Sequence, residues 1–267
     1  MARSDDEGFE NVKDRQFVVA LARGLDILRC FTPATPELGT SQIARMVRLP
    51  QPTVWRLCHT LLELGYLVAI PSRQTMRPGI PLLALGQAVL SGQPIGELAL
   101  PHMQAIASRH EGAVSLGARD GIRMIYLQRC QGSAIVFAEL RIGSHVPMAT
   151  SATGWAYLAG LGKAERKAVL AELRADLGDQ WPKVEERLLP ALDDYEQTGY
   201  VINKGSLHAQ INSVAVPVKS PDGSALLALS SGGIAPVFTS ERLGAIGVEL
   251  KGLAAKLAPL LTLQNIG

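Results

Sequence analysis

Residues 40–66 read TSQIARMVRLPQPTVWRLCHTLLELGY, and this stretch decides the fold of the N-terminal part of the chain. Its first part, residues 41–47, is short and helical, and Thr40 or Ser41 is the expected N-cap. Arg48-Leu49-Pro50 forms a tight connection. Pro52 fits the first turn of the next helix, where its missing N–H costs nothing. On that helix Val54, Leu57 and Leu61 share one side. At 100° per residue Arg56 and His59 straddle the opposite side, with Trp55 on the flank. Two short helices in tandem, the second apolar inside and Arg/His/Thr outside, describe a helix-turn-helix. Gly65 is placed to end the second helix.

Upstream, Leu21, Leu25 and Leu28 fall at i, i+4 and i+7, one face of a helix over residues 17–31 that Pro33 and Pro36 end. Downstream, residues 66–70 read as a strand, residues 71–75 as a turn carrying Arg73, and Met76-Arg77 as the start of a return strand. That hairpin is the candidate wing. Residues 82–90 form an apolar connecting helix, broken at Gly92 and Pro94. A helix over residues 95–110 follows, with Leu98, Met103, Ile106 and Ala107 apolar. Strands are expected at residues 113–118, 124–127, 134–140, 214–218 and 225–230, and helices at 151–161, 165–177, 184–199 and 240–261. The sum is α+β with an antiparallel sheet. The expected organisation is a disordered tail over 1–14, a winged helix-turn-helix over 15–79, a linker helix over 80–93 and a larger domain over 94–267.

Charge separates these parts. Residues 15–80 hold eight Lys/Arg against three Asp/Glu, a net +5; residues 1–14 are net −3, and residues 81–267 balance. A basic module beside a neutral one suits a polyanion partner for the first part alone. Arg56 is the candidate base-reading residue, since a guanidinium pairs with guanine edges or phosphate. Gln51, Thr53 and His59 are candidate phosphate contacts, with Arg48 and Arg73 beside them and Trp55 against the sugar-phosphate backbone or the wing.

The remaining composition excludes other classes. Three scattered cysteines, Cys30, Cys58 and Cys130, make no disulfide framework and no CxxC pair, and there is no HExxH. No GxSxG, GxxxxGK[ST] or GxGxxG occurs. No catalytic residues, metal site or cofactor are therefore expected. The acidic N-terminus does not resemble a signal peptide and no run suits a membrane span, so a cytoplasmic protein is expected.

Ala22 to Leu28 (ARGLDIL), Ser41 to Ala44 (SQIA), Thr53 to Leu57 (TVWRL) and Leu64 to Leu67 (LGYL) resemble the isocitrate lyase regulator (IclR) family of bacterial transcription factors. The resemblance continues through Leu83 to Gly86, Pro147 to Ala159 (PMATSATGWAYLA), Gly199-Tyr200 and Ser213 to Val218, covering roughly residues 17–262. It implies a winged helix-turn-helix, a linker helix and a GAF/PAS-like effector domain for a small organic acid. It further implies a homodimer or homotetramer on a palindromic operator in double-stranded DNA. By the family's pattern Ala152, Thr153, Gly154, Asn203, Ser213 and Ser230 line the effector cavity. The chain departs from that pattern at Asn203, commonly Asp, at Ser206, near a usual Glu, at Gly232, commonly Ser, and at Trp155, usually basic. Those departures leave a second reading beside the effector-gated regulator: an architectural DNA-binding protein with a degenerate, ligand-free sensor domain.

Overall fold

A computed structural model describes residues 16–92, 94–132, 140–224 and 226–261. The expected tail over 1–14 and most of the expected strand over 134–140 lie outside the described residues. The chain divides into two compact units, residues 1–89 and 90–267.

In the first unit α1 (Val19–Arg29), α2 (Thr40–Val47) and α3 (Gln51–Glu63) pack around Ile27, Cys30, Leu38, Ile43, Val54, Cys58, Leu67 and Met76. Gly39, not Thr40 or Ser41, is the N-cap of α2; its N–H is bound by the Gln42 side-chain oxygen at 2.8 Å. That reach back from the third helical position is the Gln half of a capping box and needs no hydroxyl at the cap. Arg48 takes a left-handed conformation, φ 52°, and turns α2 into α3. Gly65, φ 74°, follows the C-terminus of α3, where a residue with a Cβ would be strained. β1 (Leu67–Ile70) and β2 (Thr75–Pro78) pair antiparallel as the wing, and Leu38 adds a bridge to Met76. The expected face of α1 is corrected: Leu21 and Leu25 are 63% and 52% exposed, and Ile27 is the residue buried. Apolar spacing marked a stripe but could not say what covers it. α4 (Pro81–Ser91) likewise has no buried residue, with Leu83 74% exposed.

Among its described residues the second unit forms a six-stranded antiparallel sheet between helices. Its strands are β3 (Ala113–Asp120), β4 (Arg123–Gln131), β5 (His145–Pro147), β6 (Val201–Lys204), β7 (Ile211–Lys219) and β8 (Leu226–Ile234), in the order β5-β4-β3-β8-β7-β6. The two central strands, β3 and β8, come from opposite ends of the unit, so the sheet closes only when both hairpins meet. Alternation sorts side chains between two cores. Val114, Leu116, Val214, Val216, Leu227 and Leu229 face α5 (Ile95–His110) and α9 (Ser240–Leu261). Met124, Tyr126, Ala215 and Ala228 face α6 (Ala152–Gly160), α7 (Lys163–Leu177) and α8 (Trp181–Thr198). The buried side of α5 runs through Ile95, Ala99, Met103, Ile106 and Ala107, and Leu98, expected there, is half exposed. β5 and β6 were not expected; at three and four residues they are too short to show alternation.

Candidate nucleic-acid interface and ligand pocket

α3 carries two opposed stripes. Val54 and Cys58 enter the core, while Pro52, Trp55, Arg56 and His59, at i, i+3, i+4 and i+7, are exposed. The rings of Trp55 and His59 stack in parallel, centroids 5.3 Å apart, which stiffens the stripe beside Arg56. The i, i+4 spacing of an indole and an imidazole signalled this contact in the sequence, where it was missed. Arg48 and Gln51 are also exposed at the start of the helix, and Thr53 is half-buried. Gln51 Nε2 donates to Ser41 Oγ at 3.1 Å and so ties the start of α3 to α2. Arg73, on the 3-10 turn of the wing, pairs with Glu37 at 2.9 Å. An exposed pair of this kind is weak enough for a phosphate to displace. The cysteines beneath are structural: burial, then the neighbouring Cys30, pushes the Cys58 thiol up to about 11.

In the second unit the expected pocket residues gather where α6 begins above β8, β7 and β6. Ser151 caps α6, accepting the Gly154 N–H at 3.1 Å. Gly154 has a packing reason for being glycine, since a Cβ there would sit 2.2 Å from the Met148 carbonyl oxygen. Trp155 is buried, and its Nε1–H donates to the Ala149 carbonyl at 2.8 Å, bracing the approach to α6. Asn203 is buried and its amide is engaged at both ends: Nδ2 donates to the Thr150 carbonyl at 2.9 Å, and Oδ1 accepts from the Ser206 N–H at 3.1 Å. The first of those bonds needs a donor, which an ionised Asp lacks. The neutral residue therefore has a local reason independent of any ligand. Ser213 stands directly between Asn203 and Gly232 in the sheet and is half-buried.

The floor of this region is a polar row. Ser115 and Ser230 are paired across β3 and β8, and Ala152, Thr153 and both serines are buried. Thr153 Oγ1 donates to Ser230 Oγ at 2.9 Å. Arg129 Nη1 donates to Ser115 Oγ at 2.8 Å, and its guanidinium lies 5.7 Å from the centre of the Tyr126 ring. Burial pushes the Tyr126 phenol up, against the pull of Thr153, Arg129 and Ser115. Burial lowers the Arg129 pKa, though arginine stays charged. Sequence reading missed Ser115, Tyr126 and Arg129. His145 pairs with Asp120 at 2.8 Å beside the sheet edge.

A cleft of about 480 Å³ lies at the other end of α6, between Arg119, Tyr157, Gly160 and Lys219. It is a poorer anion site than the polar row. Arg119 is already held by Glu172 at 2.9 Å and by the Gly121 carbonyl at 2.7 Å. Among the described residues no cluster of three or more His, Cys, Asp or Glu could hold a metal, and no helix is long and apolar enough to cross a membrane.

Comparison with known proteins agrees with the two-part α+β fold. The family model for the IclR helix-turn-helix domain matches residues 20–71, and that for the bacterial transcriptional regulator IclR C-terminal domain matches residues 87–258. The HTH-type transcriptional regulator TsaQ1/TsaQ2 of Comamonas testosteroni is 34% identical over 74% of this chain and 72% of its own length. The Pca regulon regulatory protein of Pseudomonas putida is 26% identical over 81% of this chain and 75% of its own. An IclR family transcriptional regulator from Brucella abortus superposes with a TM-score of 0.86 at 38% identity, covering 97% of this chain and 96% of that one. An IclR homologue from Microbacterium hydrocarbonoxydans, solved with 4-hydroxybenzoate, shares the fold at a TM-score of 0.72 and 24% identity, covering 92% and 100%.

Proposed function

The chain belongs to the IclR family of bacterial transcriptional regulators, and from that premise we propose that it is a ligand-gated, operator-specific DNA-binding protein. The observation that carries the reading is the exposed stripe of α3, in which Arg56 stands between Trp55 and His59 at the centre of a net-basic module. Arg56 reads base edges in the major groove, and Gln51 holds a phosphate at the start of the helix. Arg48, Thr53, His59 and Arg73 hold phosphates, and Trp55 lies against the backbone. The second unit binds a small organic acid between the start of α6 and the strands carrying Ser213 and Ser230, with Ala152, Thr153, Gly154 and Asn203 forming the wall. The 4-hydroxybenzoate held by the Microbacterium homologue supports an organic acid as the class. Such a ligand acts by favouring one arrangement of the DNA-binding units, and a coupling of about 1–3 kcal/mol changes operator affinity roughly 5–150-fold.

The working species is a homodimer or a dimer of dimers. One short recognition helix gives little specific affinity alone, and two-fold symmetry supplies a second. α1 exposes Leu21 and Leu25 along one side, with Val18 exposed just before it, and Ile80 and Leu83 are exposed at and beside α4. Apolar surface of this extent needs a partner.

The test is operator binding by fluorescence anisotropy across a salt series. Log affinity is expected to fall linearly with log salt, at a slope of about −0.9 per phosphate neutralised. A flat salt response would remove the electrostatic basis of the reading.

A further inference from the structure

We infer that Arg129 is the anion anchor of the ligand pocket, gripping the carboxylate of the effector from the floor of the sheet. The inference rests on the reading of the α6 face as a ligand pocket. It names the residue that selects an acid there.

Arg129 reaches this face because of a bulge. Between the pairs Gly117–Tyr126 and Leu116–Gln128 the register slips by one residue, leaving Leu127 unpaired. Without that slip, Gln128 and Cys130 would follow Tyr126 on the pocket side and Arg129 would point into the opposite core. Instead Cys130 is buried against α5 and α9, and Arg129 stands opposite Ser115. A bulge that re-aims one cation toward a polar row is a common device beside binding sites.

The guanidinium is held but not neutralised. Ser115 takes Nη1, Tyr126 lies against it, and no ion pair among the described residues includes it. Its buried Nε has no acceptor among the described residues. A buried donor left without a partner is rare in native proteins and costs stability unless something else satisfies it. A carboxylate is the group that matches, since it takes two parallel N–H bonds from a guanidinium fork. Ser230 strengthens the match: its oxygen accepts from Thr153, which leaves its own hydrogen to give to a second ligand oxygen. The start of α6 contributes less than its dipole suggests, because Ser151 already takes the Gly154 N–H.

The test uses the full-length protein and a panel of aliphatic and aromatic carboxylates. The panel runs from acetate and succinate to benzoate and 4-hydroxybenzoate, each beside its primary amide. Binding is read by calorimetry and by thermal shift. At least one acid is expected to bind wild type, and its amide to bind far more weakly. Arg129→Met keeps the apolar stem and removes the charge, so it should weaken that acid roughly thirtyfold or more. Arg129→Lys should fall in between, keeping the charge without the fork. Without ligand, Arg129→Met should melt at or above the wild-type temperature, because the unpartnered donor is gone. A merely structural arginine would instead lower it by several degrees, and that result would overturn the inference. An acid that binds Arg129→Met as tightly as wild type, or no more tightly than its amide, would remove the anchor and leave the pocket standing. If no panel acid binds wild type, the carboxylate class and the pocket reading fall together.

Discussion

Arg56→Ala is expected to abolish specific operator binding without disturbing the fold. Each bidentate arginine contact to guanine is worth about 1–3 kcal/mol. A dimer presents it twice, so the loss is about 2–6 kcal/mol, roughly thirtyfold to ten-thousandfold in affinity. The stability of the variant should stay within about 0.5 kcal/mol of wild type, as for other surface changes. The structural reason is that the Arg56 side chain is exposed and makes no hydrogen bond or ion pair among the described residues. Anisotropy on an operator duplex and a thermal melt separate the two effects. Retained operator affinity would remove α3 as the reading helix, and a large fall in melting temperature would mean that Arg56 supports the fold.

The largest effect on stability is expected from Gly154→Ala. The added Cβ would lie 2.2 Å from the Met148 oxygen, 2.4 Å from its Cα and 2.6 Å from its carbonyl carbon. All three are backbone atoms, so no side chain can swing aside. Relief requires residues 148–150 to move away from α6. That movement breaks the Ser151 cap, the Trp155–Ala149 bond and the Asn203–Thr150 bond together. Three such bonds at about 1 kcal/mol each, with about 1–3 kcal/mol of overpacking, give a loss of about 4–6 kcal/mol. For a unit of this size the melting temperature should fall by roughly 10 °C or more. Gly252→Ala is the control. Gly252 lies on the exposed side of α9 with nothing within 4 Å of a new Cβ, and alanine there should be neutral or stabilising by up to about 1 kcal/mol. A Gly154→Ala protein that melts with wild type would show that the approach to α6 is not the rigid seat described above.

These residues also show what the sequence disclosed. The two faces of α3 were legible because Val54 and Leu57 against Arg56 and His59 differ sharply in chemistry at a helical period. The closing helix, Ser240–Leu261, was legible for its length. Leu21 and Leu25 were misread because periodicity records an apolar stripe and not its partner. Asn203 was read without its strand because β6 is shorter than one cycle of convincing alternation. Arg129 was hidden by the bulge, since counting by twos from Tyr126 puts it on the wrong face. Of the two sites, the nucleic-acid face follows from local spacing. The ligand pocket depends on register between strands far apart in sequence, such as Ser115 beside Ser230.

The most direct test of the central claim is selection of bound duplexes from a random-sequence DNA pool by the full-length protein, followed by sequencing. The expected result is one enriched motif with two-fold symmetry. Its half-sites should be centred about one helical turn, roughly 10 base pairs, or a multiple of that apart, and Arg56→Ala should enrich nothing. Wild type that enriches no motif, or only an asymmetric single site, would contradict the account of a symmetric, α3-reading regulator.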